Sequence, residues 1–479
     1  MVKSNSILVK RVFEIFDELC LIPHGSGNMG AIASYVENFA KKQNLRVIRD
    51  KANNIIVFKP AANGYENAEP IILQGHLDMV CQAKPDCSID FETEGLETYI
   101  EGDFIKAKGT SLGADNGIAA AYILAILENA QLEHPALEAV FTTDEEIGMI
   151  GAGKLDASVL LAKKMINLDS EEDDTLTVSC AGGSEFVCRF KDEKTSLVGN
   201  TITVILEGLK GGHSGVEIHK GRTNSNILAG KFLDALKNEE FSLVSINGGD
   251  KSNAITNRTI IVLASSNADA LKSTAEKALE DIASDVLKTE PDFCYSVAIS
   301  KTEKVDIFSP EFKNKIIDFL LNTPNGVLKM SDEVQGLVET SLNLGILVTE
   351  EDSVRAQFSL RSNKTKSLSE LEETLSSFCK TLDGEIETYG HYPPWEFKND
   401  SKLQKLYNQC YEQRNGSKPK VEAIHAGLEC GVFAAKIKDL DCIAMGPSLF
   451  DVHTYNERLS ISSAVKTFLL LLDILKKSN

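Results

Sequence analysis

Four short polar clusters mark this 479-residue chain, each ending an apolar run or opening a helical one. They are Gly75-His76-Leu77-Asp78 after PIILQ, Ala114-Asp115-Asn116-Gly117 before a helix, Asp144-Glu145-Glu146 after LEAVFTT, and Asp169 after MINL. In open α/β sheets ligands collect just past the carboxyl ends of strands, so clusters far apart in sequence can converge. One imidazole with several carboxylates is a mixed nitrogen and oxygen donor set, suited to zinc and, with so many carboxylates, to manganese or cobalt as well. The His76-x-Asp78 unit has its own rationale, because a metal-bound imidazole needs a carboxylate to fix its tautomer and orientation. Adjacent Glu145 and Glu146 can divide labour, one as ligand and one as base. A single Asp-Glu-Glu in an acidic protein is ordinarily a solvated turn; four clusters in matching structural context tip the reading toward a site.

The elements that must position these residues alternate. Strand-like apolar runs at Asn54 to Phe58, Pro70 to Gln74, Leu137 to Thr142 and Met165 to Leu168, with a helix from about Asp115 to Asn129, predict an α/β body on a largely parallel sheet. The middle of the chain, 186–392, differs: amphipathic helices (Ala268 to Leu287, Leu368 to Leu382) follow β-rich segments (Thr201 to Leu209, Val354 to Leu360), as in a separate α+β domain. Its halves, about 200–300 and 310–390, repeat a loosely similar order of elements. After Pro393 and Pro394 the α/β texture returns. The expected architecture is a discontinuous catalytic domain, 1–185 with 393–479, interrupted by an inserted α+β lid domain, with a ligand cleft where the two meet.

Composition narrows the function classes. With 43% hydrophobic and 25% charged residues the chain is globular, neither disordered nor collagen-like. Fifty Lys+Arg against seventy Asp+Glu give a formal charge of −20, which repels nucleic acid and anionic membranes. The first twenty residues read as an amphipathic helix instead of a secretory signal, and the run Thr467 to Leu472 is too short to span a bilayer. Ten cysteines without a C-x-x-C pair point to reduced thiols and a cytoplasmic protein, leaving any metal to His and carboxylates.

The stretches LQGHLDMV, GTSLGADNGIAAA, TTDEEIGMIGA, INLDSEE, GLKGGHSGVEIHKGRTNSN, FSLRS and GPSLFDVH resemble the motifs of the di-zinc metallopeptidases that include aminoacylase, carnosinase, tripeptidase and carboxypeptidase G. Within that family the chain is similar, over nearly its whole length, to the branch of cytosolic Xaa-His dipeptidases. The resemblance implies a zinc-peptidase-like catalytic domain and two divalent ions, zinc first with manganese or cobalt as substitutes. It implies His76, Asp115, Glu146, Asp169 and His453 as ligands, with Asp115 bridging, His76 and Asp169 on one ion, and Glu146 and His453 on the other. Glu145 is then left as general base and Asp78 orients His76. His213 in GGHSG would donate to the tetrahedral oxyanion, either on domain closure or from the second subunit of a homodimer. Asp169 resembles the aminopeptidase and dipeptidase members, where deacylases and carboxypeptidases carry Glu, so the implied substrates are small dipeptides with a free amino terminus. Their carboxylate needs a cation, for which Arg361 stands first, with Asn253 as a polar helper, Arg355 weaker, and His425 a further substrate contact. One departure is local: His453-Thr454-Tyr455-Asn456-Glu457 stands where relatives commonly have His-Ser-Pro-x-Glu.

Other signals are discounted. Gly25-Ser26-Gly27-Asn28-Met29-Gly30 is formally G-x-G-x-x-G, but a helical pattern precedes it, so it reads as a turn between helices. The segment around Ser214 lacks the spacing of a nucleophile elbow. His134, His391 and Cys81 read as packing or surface residues, and His219 as a weaker substrate contact. Rival readings are an N-acyl-amino-acid deacylase and a metal-binding protein without turnover; the filled ligand and base positions disfavour the second.

Overall fold

The computed structural model describes residues 2–301, 304–334 and 336–479. They form two compact units: Met1–Cys180 with Trp395–Ala423 and Leu428–Asn479, and Ala181–Pro394 with Ile424–Gly427.

The first unit is built on an eight-stranded sheet. Its four central strands, in the order Leu137–Thr142, Ile71–His76, Lys164–Asn167, Asp441–Ala444, run parallel. This is the mostly parallel centre that the alternating sequence predicts. The flanks differ: Ile55–Lys59 and Arg46–Arg49 on one side, and Thr175–Cys180 on the other, are antiparallel to their neighbours. The first two of these form a hairpin, and a tight turn can join only antiparallel strands. Asp50 holds that turn by accepting from the amides of Ala52 and Asn54.

The helix Ala114–Glu128 lies against this sheet and is buried on every side, from Ile118 through Leu127. Its sequence is apolar all round, which is the signature of an interior helix. Tyr122 brings the one polar group it must satisfy, and its hydroxyl donates to the Ala464 carbonyl at 2.8 Å while its ring stacks on Phe468. The helix can approach because Gly75 has no side chain: a Cβ there would sit 2.4 Å from Asn116 Oδ1 and 3.0 Å from Ala119 Cβ. A smaller sheet of Leu449–Phe450, Arg458–Ser460, Phe104–Ala107 and Thr98–Glu101 completes the unit's positioning framework.

The second unit is α+β. Its main sheet runs Cys294–Ser300, Asn200–Glu207, Thr259–Ser265, Ser242–Gly248, Val338–Thr349, Ser353–Ser362, Gly182–Lys191, Glu385–Tyr392, with Gly326–Met330 pairing alongside Val338–Thr349. The weak repetition seen in the sequence has a topological counterpart. Asn200–Glu207, helix Ser225–Ala235, Ser242–Gly248, Thr259–Ser265, helix Ala268–Val286 and Cys294–Ser300 follow a βαββαβ order. Gly182–Lys191, helix Pro310–Asn322, Val338–Thr349, Ser353–Ser362, helix Thr365–Thr381 and Glu385–Tyr392 follow the same order. The strands of each set are arranged 2-3-1-4, and the two sets meet edge to edge at Gly248 and Leu347. The first strand of the second set precedes the whole of the first set, which is why the repeat is faint along the chain. Among the described residues no helix is long and apolar enough to cross a membrane.

Candidate functional site

In the first unit the parallel strands deliver their carboxyl ends to one edge of the sheet. Strand Ile71–His76 ends on His76; Leu137–Thr142 runs into Asp144, Glu145 and Glu146; Lys164–Asn167 runs into Asp169; Asp441–Ala444 leads toward the loop of His453. The sequence clusters converge as the strand-end rule requires.

Their geometry divides around Asp115. His76 Nε2 lies 3.1 Å from Asp115 Oδ1 and 3.4 Å from Asp169 Oδ1. His453 Nε2 lies 3.2 Å from Asp115 Oδ2 and 2.9 Å from Glu146 Oε1. Each oxygen of one carboxylate therefore faces a different imidazole, and each imidazole has a second carboxylate of its own. One donor atom each of His76, Asp115 and Glu146 also lies within 4.8 Å of the other two, close enough to hold a metal ion, so the halves are contiguous. Asp115 and Asn116 leave helical geometry at the start of their helix, and the peptide bond between them is cis. The Asn116 carboxamide accepts from the His76 amide at 3.2 Å and donates to the Leu168 carbonyl at 2.9 Å, stitching the His76 and Asp169 strands together.

Asp78 works mainly on the opposite wall. Its Oδ1 accepts from the Glu145 amide at 3.0 Å and its Oδ2 from the Glu146 amide at 3.2 Å and the Ser26 hydroxyl at 2.8 Å. The closest partner of His76 Nδ1 is the Asp78 backbone carbonyl, at 3.0 Å, with the carboxylate at 3.5 Å. Asp78 thus orients the imbedded His76 ring chiefly through its main chain, while its side chain fixes the Glu145-Glu146 turn.

The electrostatics fit a divalent cation. Burial pushes the Asp169 carboxyl up to about 7 and holds the Glu145 carboxyl well above the usual range, Asp169, Glu429 and Glu146 adding to the effect on Glu145. Burial also opposes ionisation of Asp115, but hydrogen bonds from His453 and His76 outweigh it and keep that carboxyl low. Asp115 and Glu146 push the His453 imidazole up to about 11. Carboxylates crowded at low dielectric, with imidazoles drawn to them, form an oxygen and nitrogen donor set that a divalent cation stabilises.

Four residues here carry no role that the sequence assigns. Glu429 is fully buried; its Oε2 accepts from Thr142 Oγ1 at 2.6 Å and from Gln74, its Oε1 has no hydrogen-bond partner among the described residues, and burial pushes its carboxyl up to about 7. The turn at Gly25–Gly27 joins two helices as expected, yet Ser26 also bonds Asp78, and the Gly27 amide donates to Asp144 at 2.7 Å. Glu457 accepts from four backbone amides at the start of the Asp115 helix. Of these only Glu457 has a signal in the sequence, as the last residue of His453-Thr454-Tyr455-Asn456-Glu457; the contacts themselves are made across 52 to 355 residues of chain.

The remaining candidates belong to the second unit. Arg361 is 7% exposed, its Nη1 donates to the Tyr392 hydroxyl at 2.9 Å, and its Nε has no hydrogen-bond partner among the described residues. It lines a cavity of about 410 Å³ with Asn253, Lys251, Ser359 and Tyr392. A buried guanidinium whose Nε has no partner among the described residues is suited to receive a carboxylate. The His213 Nδ1 accepts from the amides of Gly215 and Val216 at 3.1 and 3.2 Å, which places the ring hydrogen on Nε2. Burial and the Arg361 charge lower its pKa, so the ring is a neutral donor. His425 is buried, with Nε2 at 2.7 Å from Ser341 Oγ and Nδ1 facing Asn363. Both its nitrogens face partners within the fold, in the strand pair that carries Arg361. Arg355 donates to Glu350 at 3.0 Å and to Gln357 at 2.9 Å, which satisfies its charge locally, and it lines a different cavity from Arg361. Of the discounted histidines, His134 is buried against the Pro135 carbonyl and His391 is a surface partner of Glu372.

The whole chain aligns with cytosol non-specific dipeptidase of Escherichia coli (strain K12), 35% identical over 482 residues, 100% of this chain and 99% of that protein. The structure is similar to the crystal structure of aminoacylhistidine dipeptidase from Vibrio alginolyticus, with a TM-score of 0.90, 35% identity and coverage of 97% and 96% of the two chains. An aminopeptidase from Bacillus cereus shares the fold at a TM-score of 0.56 and 16% identity, over 98% of each chain. The family model described as "Peptidase family M20/M25/M40" matches residues 72–477. A match this long, with a curated relative aligned end to end, means that the chain belongs to peptidase family M20/M25/M40 and is a peptide-bond hydrolase.

Proposed function

We propose that the protein is a cytoplasmic dipeptidase that hydrolyses small dipeptides with a free amino terminus, with broad or Xaa-His preference, using two divalent ions, zinc or in its place manganese or cobalt. The observation that carries this reading is the division of Asp115 between His76 and His453, each backed by its own carboxylate, Asp169 or Glu146. The end-to-end similarity to a protein named a non-specific dipeptidase supports the substrate class.

Bound at these residues, divalent ions would supply Lewis acidity, making water a nucleophile near neutral pH and polarising the scissile carbonyl. Glu145 takes the proton of the attacking water and returns it to the departing amine nitrogen as the C–N bond breaks, so hydroxyl ends on the carbonyl carbon and hydrogen on the amine. Burial raises the proton affinity of Glu145 and nearby cations lower it; between these influences a carboxylate can both accept and release a proton. Asp78 holds the Glu145 backbone still for that transfer. Arg361 takes the substrate carboxylate, with Asn253 beside it in the same cavity. His213 donates from Nε2 to the oxyanion.

The test is hydrolysis of β-Ala-His, Ala-His, Leu-Gly, Cys-Gly, an N-acetylated dipeptide and a tripeptide, before and after chelation and after restoring zinc, manganese or cobalt. Chelator-sensitive cleavage confined to free-amino dipeptides is expected. Cleavage of the acetylated compound alone would make the protein a deacylase, and stoichiometric metal without hydrolysis of any compound would make it a binding protein.

A further inference from the structure

We propose that Glu457 is a positioning residue of the metal centre: its carboxylate fixes the loop carrying His453 to the loop carrying Asp115 and thereby sets the separation of those two side chains. The proposal rests on the reading that His453 and Asp115 share one ion.

The loop at 451–457 needs such a tie. It leaves the small sheet after Leu449–Phe450 and re-enters at Arg458–Ser460. Asp451 and His453 both have positive φ, 52° and 60°, a left-handed conformation that is uncommon outside glycine though more accessible to Asp and His than to most residues. The His453 side chain is 49% exposed, so packing does not fix it. The Asp115 loop leaves the same small sheet after Phe104–Ala107, which pairs with Arg458–Ser460. From that shared base the loops diverge, and besides the contact of His453 with Asp115 itself, the hydrogen bonds joining them among the described residues are those of Glu457.

Those bonds are numerous and buried. Glu457 is 4% exposed; its Oε2 accepts from the amides of Leu112 at 2.6 Å and Gly113 at 3.0 Å, and its Oε1 from Ala114 at 2.8 Å and Asp115 at 3.3 Å. These amides open a helix, where unpaired N–H groups and the helix dipole favour an anion. The carboxylate is used because it presents acceptors on both oxygens. An amide at this position would turn an NH₂ toward two of the four donors, and if it faced the second pair the Asp115 amide itself would lose its acceptor.

The experiment compares wild type with Glu457→Gln, Glu457→Asp and Ser401→Ala, the last removing the N-cap of helix Lys402–Asn415 as a purely structural control. Apo-protein is titrated with cobalt(II) followed by visible absorption, and hydrogen exchange is measured at residues 112–115. Wild type should take up two equivalents. Glu457→Gln should weaken the equivalent at His453 by about tenfold or more and the equivalent at His76, which shares Asp115, by less, with faster exchange at 112–115 and a fall in kcat that exceeds any change in KM. Glu457→Asp, which keeps the charge, should restore part of the lost affinity, and Ser401→Ala should lower stability and leave both equivalents intact. Two equivalents at wild-type affinity in Glu457→Gln would overturn the proposal. If that variant does not fold, Glu457→Asp decides by the same criterion. A single equivalent in wild type would overturn the two-ion reading and the proposal with it.

Discussion

Replacing Gly75 by alanine tests whether the site depends on the close approach of the Asp115 helix to the His76 strand. The added Cβ would lie 2.4 Å from Asn116 Oδ1 and 3.0 Å from Ala119 Cβ. Asn116 is 2% exposed, so its carboxamide cannot swing into solvent. Relieving the clash means giving up its bonds to the His76 amide and the Leu168 carbonyl, each a buried polar loss of about 1–3 kcal/mol. Overpacking against Ala119 adds about 1–3 kcal/mol, and the stiffer unfolded chain returns about 0.4–1 kcal/mol. The expected destabilisation is roughly 2–9 kcal/mol, a large share of the stability a domain ordinarily has. Urea unfolding followed by fluorescence of Trp395, the chain's single tryptophan and a buried residue of this unit, reads it directly. Cobalt affinity should fall as well, because Asn116 ties down the strands of both His76 and Asp169. A Gly75→Ala protein with an unfolding midpoint and metal affinity like wild type would refute the reasoning.

Other perturbations separate the roles of individual residues. Glu145→Gln should lower kcat by about 10²–10⁴ while metal stoichiometry stays the same; retained turnover would remove Glu145 as the base. Arg361→Met should raise KM for dipeptides by about two orders of magnitude, since losing one partner of a buried charged pair costs about 2–5 kcal/mol, and an unchanged KM would move the carboxylate site elsewhere. His425 is held neutral in the fold, lowered from 6.5 to about 3 by burial first and by Arg361 second. The unfolded chain therefore binds a proton below 6.5 that the folded chain refuses, so the His425 contribution is complete above pH 6.5 and is lost as pH falls toward 3, by up to about 1.4 kcal/mol per pH unit. His425→Gln should flatten that part of the acid profile, measured as hydrogen exchange in strand Ser353–Ser362 between pH 7 and 4; an identical slope would show that another group carries it.

Much of the first unit was legible because its signals are local. Apolar runs at 137–142 and 165–168 and the helix opening at Ala114 stand within a residue or two of the observed elements, and the polar residues closing them became the site. What the periodicity missed is the sheet's antiparallel flanks, since an apolar run reads alike in either direction. The second unit shows the opposite limit. Its two βαββαβ sets were visible only as a faint repetition, because the strand Gly182–Lys191 that completes one set lies before the other begins. The partners of Arg355 and His425, Glu350 and Ser341, are chosen by sheet register and not by spacing, so the sequence does not show them.

Residue types and short-range pattern are enough to give the kinds of groups available, the strand ends that bear them and, through the motifs, the family. Those properties depend on residue type and on neighbours a few positions away. The motifs already implied that Asp115 lies between His76 and His453, 39 and 338 residues away, and the packed chain brings the three together. Tertiary structure alone put the Asp78 carboxylate on the Glu145 turn and set Glu457 and Glu429 behind the candidate site. The reason is physical: which side chains meet is set by strand order, register and the satisfaction of buried main-chain donors, and these are properties of the packed chain as a whole.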